Sequence, residues 1–174
     1  MKVLVVVDMQ NDFVDGALGS KEACAIVSDV VKAIEGFEGQ VVATRDTHAA
    51  DYMDTQEGRH LPVIHCVKGT EGWKINPDVQ RALDEKHADL IDKPTFGSVE
   101  LGEYRRKLDR EEKVEEILLV GVCTDICVIS NALLLKAYLP EVPVRVMASC
   151  CAGVTPESHA RALEAMGPCQ IEVI

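Results

Sequence analysis

Residues 2–10 of the chain read KVLVVVDMQ. The five residues 3–7 are apolar and mostly β-branched, and an acidic residue, Asp8, follows them directly. A strand in the middle of a parallel sheet is buried on both faces and therefore consists of such an unbroken apolar run. The stretch predicts a central strand with a carboxylate at its carboxyl end.

Strand and helix patterns alternate along the rest of the chain. The apolar runs that predict further strands are residues 40–44, 88–91, 116–122, 142–148 and 170–174. Apolar residues at helical spacing predict helices over 22–35, 97–108, 125–138 and 156–166. This alternation predicts an α/β fold in one domain, residues 1–174. We expect a three-layer, doubly wound, Rossmann-like arrangement with a six-stranded, mostly parallel sheet flanked by helices.

Composition excludes several classes of protein. The chain has 174 residues, of which 47% are hydrophobic, so it is not intrinsically disordered. Its net charge of −11 argues against nucleic acid as a partner, because phosphate binding needs a basic surface. No apolar run approaches the roughly 20 residues of a membrane span, and the N-terminal run is too short for a signal peptide. We therefore expect a cytoplasmic protein without a membrane partner.

Reactive side chains follow four of the predicted strands. Asp8 follows the first, Asp46 and His48 follow the second, Lys93 follows the third, and Cys127 lies just beyond the fourth. Ligands of doubly wound sheets bind outside the carboxyl ends of the strands. We therefore expect an acid, a metal-binding pair, a base and a thiol at one edge of the sheet. The alternative for Asp8 and Lys93 is an ordinary structural ion pair.

Cys127 is the candidate nucleophile among seven cysteines, whose odd number and irregular spacing do not indicate disulfides. Thr124 or Asp125 is suited to cap the predicted helix, which places Cys127 in its first turn. The helix dipole there is expected to lower the pKa of the thiol. Cys123, in the bend before the helix, is the weaker candidate. The alternative is that both cysteines only pack against the sheet.

The polar segment 46–76 has no assignable regular structure and contains a possible metal site. Asp46, His48 and His65 supply one carboxylate and two imidazoles, a donor set that binds divalent ions with open positions. Asp46 and His48 are two residues apart, so on an extended segment their side chains share one side. A loop held by hydrogen bonds is the alternative.

Three motifs carry a family resemblance: VVVDMQNDF at 5–13, IDKPTFGS at 91–98 and GVCTDICVISNAL at 121–133. Together they resemble the isochorismatase-like cysteine hydrolase superfamily. The likeness continues through ASCCAGVTPESHARALEAM at 148–166, so it covers nearly the whole chain. It implies a six-stranded parallel sheet, in agreement with the alternation of strands and helices.

The resemblance implies a catalytic triad of Asp8, Lys93 and Cys127. It also implies a cis peptide bond between Val122 and Cys123, with the backbone N–H groups of Cys123 and Cys127 forming an oxyanion hole. Cys127 would attack an amide carbonyl to form a thioester while Asp8 relays the proton and Lys93 favours the thiolate. Ammonia and an acid would be the products.

The order of RDTH at 45–48 and LPVIHCVKGTEG at 61–72 is similar to the nicotinamidase- and pyrazinamidase-like members of that superfamily. This implies a divalent ion on Asp46, His48 and His65, with Glu57 of TQEG as a further possible ligand. Zn²⁺ is favoured, with Fe²⁺ and Mn²⁺ as alternatives. The implied substrate is a small nicotinamide-like amide, whose ring the metal would orient.

The substrate pocket is expected to include Phe13 and Trp73, each of which has a structural role as its alternative. His60 lacks a motif match and is expected on the surface. The chain departs from the nicotinamidase-like pattern in having Thr47, where those members commonly have Trp. Aromatic residues make up only 4% of the chain, which predicts a thinner aromatic wall.

Three other functions compete with this one. A metal-independent amidase of the carbamoyl or ureido branch would keep Cys127 but generally lack Asp46, His48 and His65. A strict isochorismatase would lack the nucleophilic cysteine. A non-catalytic binding module could use the same fold, although the complete triad disfavours it. The family also implies a homodimer or homotetramer.

Overall fold

A computed structural model describes residues 1–111 and 113–174. Its strands are β1 (Lys2–Val7), β2 (Gln40–Asp46), β3 (Asp89–Lys93), β4 (Glu116–Val122), β5 (Val144–Ala152) and β6 (Ile171–Val173). They form one six-stranded sheet in the order β3-β2-β1-β4-β5-β6, and every neighbouring pair is parallel. The predicted α/β fold is confirmed, and the strand order reverses between β1 and β4.

Helices connect the strands. They are α1 (Asn11–Val14), α2 (Lys21–Gly36), α3 (Gln56–His60), α4 (Pro77–Glu85), α5 (Val99–Glu111), α6 (Ile129–Tyr138) and α7 (Pro156–Met166). A single turn of π-helix, Thr124–Val128, precedes α6. Within the two described ranges, no helix combines the length and apolarity needed to cross a bilayer.

The central strand β1 separates two apolar cores. Val3, Val5 and Val7 face one core, to which α5, α6 and α7 contribute side chains. Leu4 and Val6 face the other core, to which α2 and α4 contribute. Successive residues of a strand point to opposite faces, so an unbroken apolar run is what a strand between two helical layers requires.

Several boundaries differ from the sequence-based expectations. The strand expected over 142–148 is β5 and continues to Ala152, because its pairing with β4 resumes after an irregularity between Leu119 and Gly121. The helix expected over 125–138 begins as the π-helical turn and becomes α-helical only at Ile129. Helix α4 was not predicted, although Asn76 caps it and Pro77 occupies its first turn.

Gly121 lets β1 and β4 approach each other closely at the edge where the reactive residues lie. Its φ is +117°, and a Cβ atom there would lie 2.1 Å from the carbonyl oxygen of Val7. A side chain at this position would therefore be strained and would also push the two central strands apart.

We predict that Gly121→Ala lowers the free energy of unfolding by at least about 2 kcal/mol, through backbone strain and the contact with Val7. Urea unfolding followed by circular dichroism measures this. Gly36→Ala is the matched control, because no atom lies within 4 Å of the added Cβ. Equal stabilities for the two variants would contradict the prediction.

Candidate active site and metal centre

Asp8, Lys93 and Cys127 meet at the carboxyl edge of the sheet. Asp8 follows β1 with φ 49°, Lys93 is the last residue of β3, and Cys127 lies in the π-helical turn after β4. Lys93 Nζ lies 2.7 Å from Asp8 Oδ2 and 3.5 Å from Cys127 Sγ. All three side chains are buried, so the ammonium has a carboxylate and a thiol as partners inside the protein.

Two buried polar residues that the sequence analysis missed hold this triad in place. Thr44 donates a hydrogen bond of 2.7 Å from Oγ1 to Asp8 Oδ1. Asn131 Nδ2 donates to the carbonyl oxygens of Cys127 and Phe96, at 2.8 and 3.1 Å. Asn131 thereby links the thiol-bearing turn to the loop after β3. A polar residue inside the apolar pattern of a predicted helix was the feature of the sequence that could have identified Asn131.

The thiol of Cys127 does not have the lowered pKa expected from a helix N-terminus. Burial raises its pKa well above the ordinary value, and the negative charge of Asp8 raises it further, against the opposing effect of Lys93. The expectation of a lowered pKa was wrong because it left out desolvation, which is the largest cause of the shift. The pKa of Asp8 is also raised, chiefly by burial, with Lys93 opposing the shift.

The turn that carries Cys127 is fixed from the side of β5 and α7. The peptide bond between Val122 and Cys123 is cis. Neither Thr124 nor Asp125 caps the helix as expected. Instead, Thr124 Oγ1 lies 2.8 Å from Nδ1 of His159, and Asp125 Oδ1 accepts a hydrogen bond from the backbone amide of residue 154.

Asp46, His48, Glu57 and His65 form a compact cluster beside the triad. Each offers one potential ligand atom, and these atoms all lie within 4.8 Å of one another. His65 Nδ1 lies 2.8 Å from the carbonyl oxygen of Val63, which fixes the tautomer and leaves Nε2 free to face the cluster. Two imidazoles and two carboxylates at this spacing fit a divalent metal ion.

The electrostatics of the cluster also favour a cation. His48 Nε2 is buried and, among the described residues, has no hydrogen-bond partner of good geometry, although Asp46 Oδ2 lies 3.0 Å away. Burial and the charge of Asp46 together raise the pKa of Glu57. Burial alone would raise the pKa of Asp46, but the neighbouring imidazoles of His48 and His65 and the charge of Lys93 lower it below its ordinary value. Asp46 therefore remains a carboxylate.

Comparison with known proteins identifies the family. Residues 2–174 match the family described as "Isochorismatase domain". The chain belongs to the isochorismatase family.

Relatives in this family cover nearly the whole chain. One is an uncharacterized isochorismatase family protein, PncA, of Bacillus subtilis, 32% identical over 93% of this chain and 92% of that protein. Another is the nicotinamidase/pyrazinamidase of Mycobacterium tuberculosis, 29% identical over 100% of this chain and 98% of that protein. Among solved structures, the pyrazinamidase of Pyrococcus horikoshii in complex with zinc has a TM-score of 0.80 at 29% identity, covering 99% and 98% of the two chains.

In this member of the isochorismatase family, one cavity of about 520 Å³ joins the thiol to the metal-ligand cluster. Cys127, Asp46, Glu57 and His65 all line it. Its remaining wall is mostly apolar, formed by residues that include Phe13, Leu18, Leu61, Phe96, Ile126 and Val154. The ring of Phe13 lies 5.5 Å from that of His65, measured between centroids.

Trp73 does not line this cavity, so its expected place in the substrate pocket was wrong. Its Nε1 donates a hydrogen bond of 2.8 Å to Thr47 Oγ1, and the guanidinium of Arg45 lies 4.0 Å from its ring centroid. Trp73 therefore supports the segment between the ligands Asp46 and His48 from outside. His60 is exposed, as expected.

We predict that Asp8→Asn lowers the pKa of Cys127, because it removes a negative charge that disfavours the thiolate and leaves Lys93 in place. The thiolate is the reactive form, so alkylation of Cys127 by iodoacetamide near pH 7.5 should become faster than in the wild-type protein. Mass spectrometry identifies the modified cysteine, and the exposed Asp15→Asn is the control. Unchanged or slower alkylation would exclude this charge effect.

We predict that His48→Ala weakens Zn²⁺ binding at least about a hundredfold, since it removes an imidazole ligand. Competition with a chromophoric chelator measures the dissociation constant. His60→Ala is the matched control, because His60 lies on the same segment but outside the cluster. An unchanged zinc affinity in His48→Ala would remove the proposed site.

Proposed function

We propose that this protein is a cysteine-dependent amidohydrolase that converts nicotinamide, or a closely similar aromatic carboxamide, into its acid and ammonia. The observation that carries the proposal is the contact of Lys93 with both Asp8 and Cys127, together with the cavity that the Cys127 thiol shares with three of the four potential metal ligands. The names of the mycobacterial and archaeal relatives, nicotinamidase/pyrazinamidase and pyrazinamidase, support the same substrate class.

The triad residues divide the acid–base and nucleophilic work. The Cys127 thiol stays protonated in the resting site, because burial and Asp8 raise its pKa. When the amide is bound, the thiol proton passes to Asp8 and the sulfur attacks the carbonyl carbon, with Lys93 holding the thiolate charge. Asp8 then protonates the departing nitrogen as the C–N bond breaks. Water hydrolyses the thioester, which releases the acid and restores the thiol.

The negative oxygen of the tetrahedral intermediate needs donors near Cys127. We assign this role to the backbone N–H groups of Cys123 and Cys127, which belong to the bend and turn at the end of β4. Each such donor typically contributes a few kcal/mol to transition-state stabilisation. The hydrogen bond between Thr124 and His159 of α7, and the one that Asp125 accepts from the amide of Val154, would hold these amides in position.

Asp46, His48, Glu57 and His65 would hold the divalent ion. When bound, the ion supplies a Lewis-acidic site for a ring nitrogen, which orients the carboxamide toward the thiol. We propose Zn²⁺ because two imidazoles with carboxylates are ordinary zinc ligands and the archaeal relative is described with zinc. Fe²⁺ and Mn²⁺ accept the same donors.

The cavity favours an uncharged, flat substrate. Apart from the thiol and the metal-ligand side chains, its wall is largely apolar, with Phe13, Phe96 and Ile126 among its larger side chains. Among the described residues, no arginine or lysine lines the cavity, so a substrate with its own carboxylate would find no cationic side chain in its wall. A small aromatic amide meets these conditions.

A metal-independent amidase of the carbamoyl or ureido branch is the second candidate. It would use the same triad, but it gives no reason for two histidines and two carboxylates to place their ligand atoms within 4.8 Å of one another. The proposed partner is a small amide substrate. The homodimer or homotetramer and the cytoplasmic location stay predictions of the sequence.

Ammonia release from nicotinamide and pyrazinamide by the zinc-loaded protein tests the proposal. We predict turnover that falls at least about a thousandfold in Cys127→Ala, since the nucleophile is lost. The exposed Cys169→Ala should keep the wild-type rate. Turnover of Cys127→Ala close to wild type would overturn the mechanism. Hydrolysis of carbamoyl or ureido amides alone, unaffected by metal removal, would favour the second candidate.

A further inference from the structure

The backbone of β1 leaves β2 before β2 ends. Their pairing continues to Val7 and Thr44, and the amide of Asp8 makes a last hydrogen bond of 3.2 Å to the carbonyl of Thr44. The chain then turns at Asp8, where φ is 49°, and the amide of Gln10 donates back to the Asp8 carbonyl. The metal-ligand candidate Asp46, at the end of β2, therefore has no β1 backbone beside it.

The side chain of Gln10 takes the place of that missing backbone. Gln10 Oε1 accepts a hydrogen bond of 2.7 Å from the amide of Asp46, and Nε2 donates one of 2.8 Å to the carbonyl of the same residue. A primary amide offers the same donor and acceptor as a peptide group, so it continues the ladder beyond the end of the strand. Gln10 is fully buried, which makes these bonds costly to lose.

A third hydrogen bond fixes the orientation of this amide. Nε2 also donates to the carbonyl of Trp73 at 2.9 Å. Since Nε2 faces two carbonyl oxygens and Oε1 faces an N–H group, the amide satisfies all three partners in only one of its two orientations. Gln10 therefore ties Asp46 to Trp73, whose indole supports Thr47 beside it.

We propose that Gln10 is a positioning residue for the metal centre and acts through the backbone of Asp46. The Asp46 carboxylate must serve two groups at once: Oδ1 lies 3.3 Å from Lys93 Nζ, and Oδ2 lies 3.0 Å from His48 Nε2. A rotation of the Asp46 backbone would move one oxygen away from its partner. β3 holds this segment on one side through the hydrogen bond from the Thr47 amide to the Lys93 carbonyl, and Gln10 holds it on the other.

The inference rests on the metal site of the proposed function, and zinc affinity tests it without using catalysis. Gln10→Met keeps the length of the side chain and removes all three hydrogen bonds. We expect the Zn²⁺ dissociation constant of the metal-free protein, measured by chelator competition, to rise about 10- to 100-fold. Turnover should recover as zinc is raised to saturation, because the triad itself is unchanged.

Gln40→Met is the matched control for a merely structural effect. Gln40 begins the same strand β2 at its opposite end, and its side chain also makes three hydrogen bonds, to Asp89, Tyr104 and Arg105. We expect this variant to lose thermal stability while its zinc dissociation constant stays within threefold of wild type. Equal losses of zinc affinity in the two variants would reduce Gln10 to a structural role.

Other outcomes are also decisive. A zinc dissociation constant within threefold of wild type in folded Gln10→Met would overturn the inference. If that variant does not fold, Gln10→Asn, which is one methylene too short to span the same partners, is measured against the same thresholds. A wild-type protein that binds none of Zn²⁺, Fe²⁺ or Mn²⁺ would overturn both the metal site and this inference. If Gln10→Met loses zinc binding and the wild-type protein hydrolyses no amide, the first result would support this inference and the second would contradict the proposed function.

Discussion

The buried ammonium of Lys93 is the constraint on which the rest of the site depends. Burial by itself lowers the pKa of a lysine, yet the pKa of Lys93 is raised because Asp8, Cys127 and Asp46 surround it. A charge removed from water persists only with such partners. Those partners come from the ends of β1, β4 and β2. The ammonium at the end of β3 therefore keeps its partners only if these strands hold their positions in the sheet. Lys93 also links the triad directly to the metal-ligand cluster, since its Nζ contacts both Asp8 and Asp46.

The net charge of the site explains why the triad and the metal-ligand cluster lie side by side. Asp8, Asp46 and Glu57 are the three carboxylates around Lys93 and the two histidines, and they outnumber the ammonium by two. With neutral imidazoles, that excess equals the charge of one divalent ion. Carboxylates held this close and partly out of water repel each other, as the raised pKa of Glu57 reflects. A metal ion would relieve this repulsion, so it would complete the electrostatics of the site as well as bind substrate.

The sheet and the residues at the ends of its strands could be predicted from the sequence, because both follow from local patterns. An unbroken apolar run marks a strand buried on both faces, and the carboxyl ends of parallel strands share one edge, so Asp8, Asp46 and Lys93 had to lie near each other. The contacts of Gln10, Asn131 and Trp73 could not be predicted in the same way. Most of these contacts are hydrogen bonds to partners far away in the sequence, such as Gln10 to Asp46 across 36 positions and Trp73 to Thr47 across 26, and no periodicity encodes them. The prediction of a lowered pKa for Cys127 failed for a related reason, since the local helix dipole could be predicted from the sequence and the burial of the thiol could not.

The raised pKa of Cys127 is consistent with nucleophilic catalysis once the whole site is considered. Forming a thiolate in isolation would add a buried charge, which is what the raised pKa opposes. Passing the proton to Asp8 instead moves a negative charge from one neighbour of Lys93 to another, so the net charge around the ammonium does not change. Burial also raises the pKa of Asp8, which makes it a better acceptor than an exposed carboxylate. The same desolvation therefore keeps the thiol unreactive at rest and raises the proton affinity of Asp8, which favours proton transfer once the substrate carbonyl is in place for attack by the sulfur.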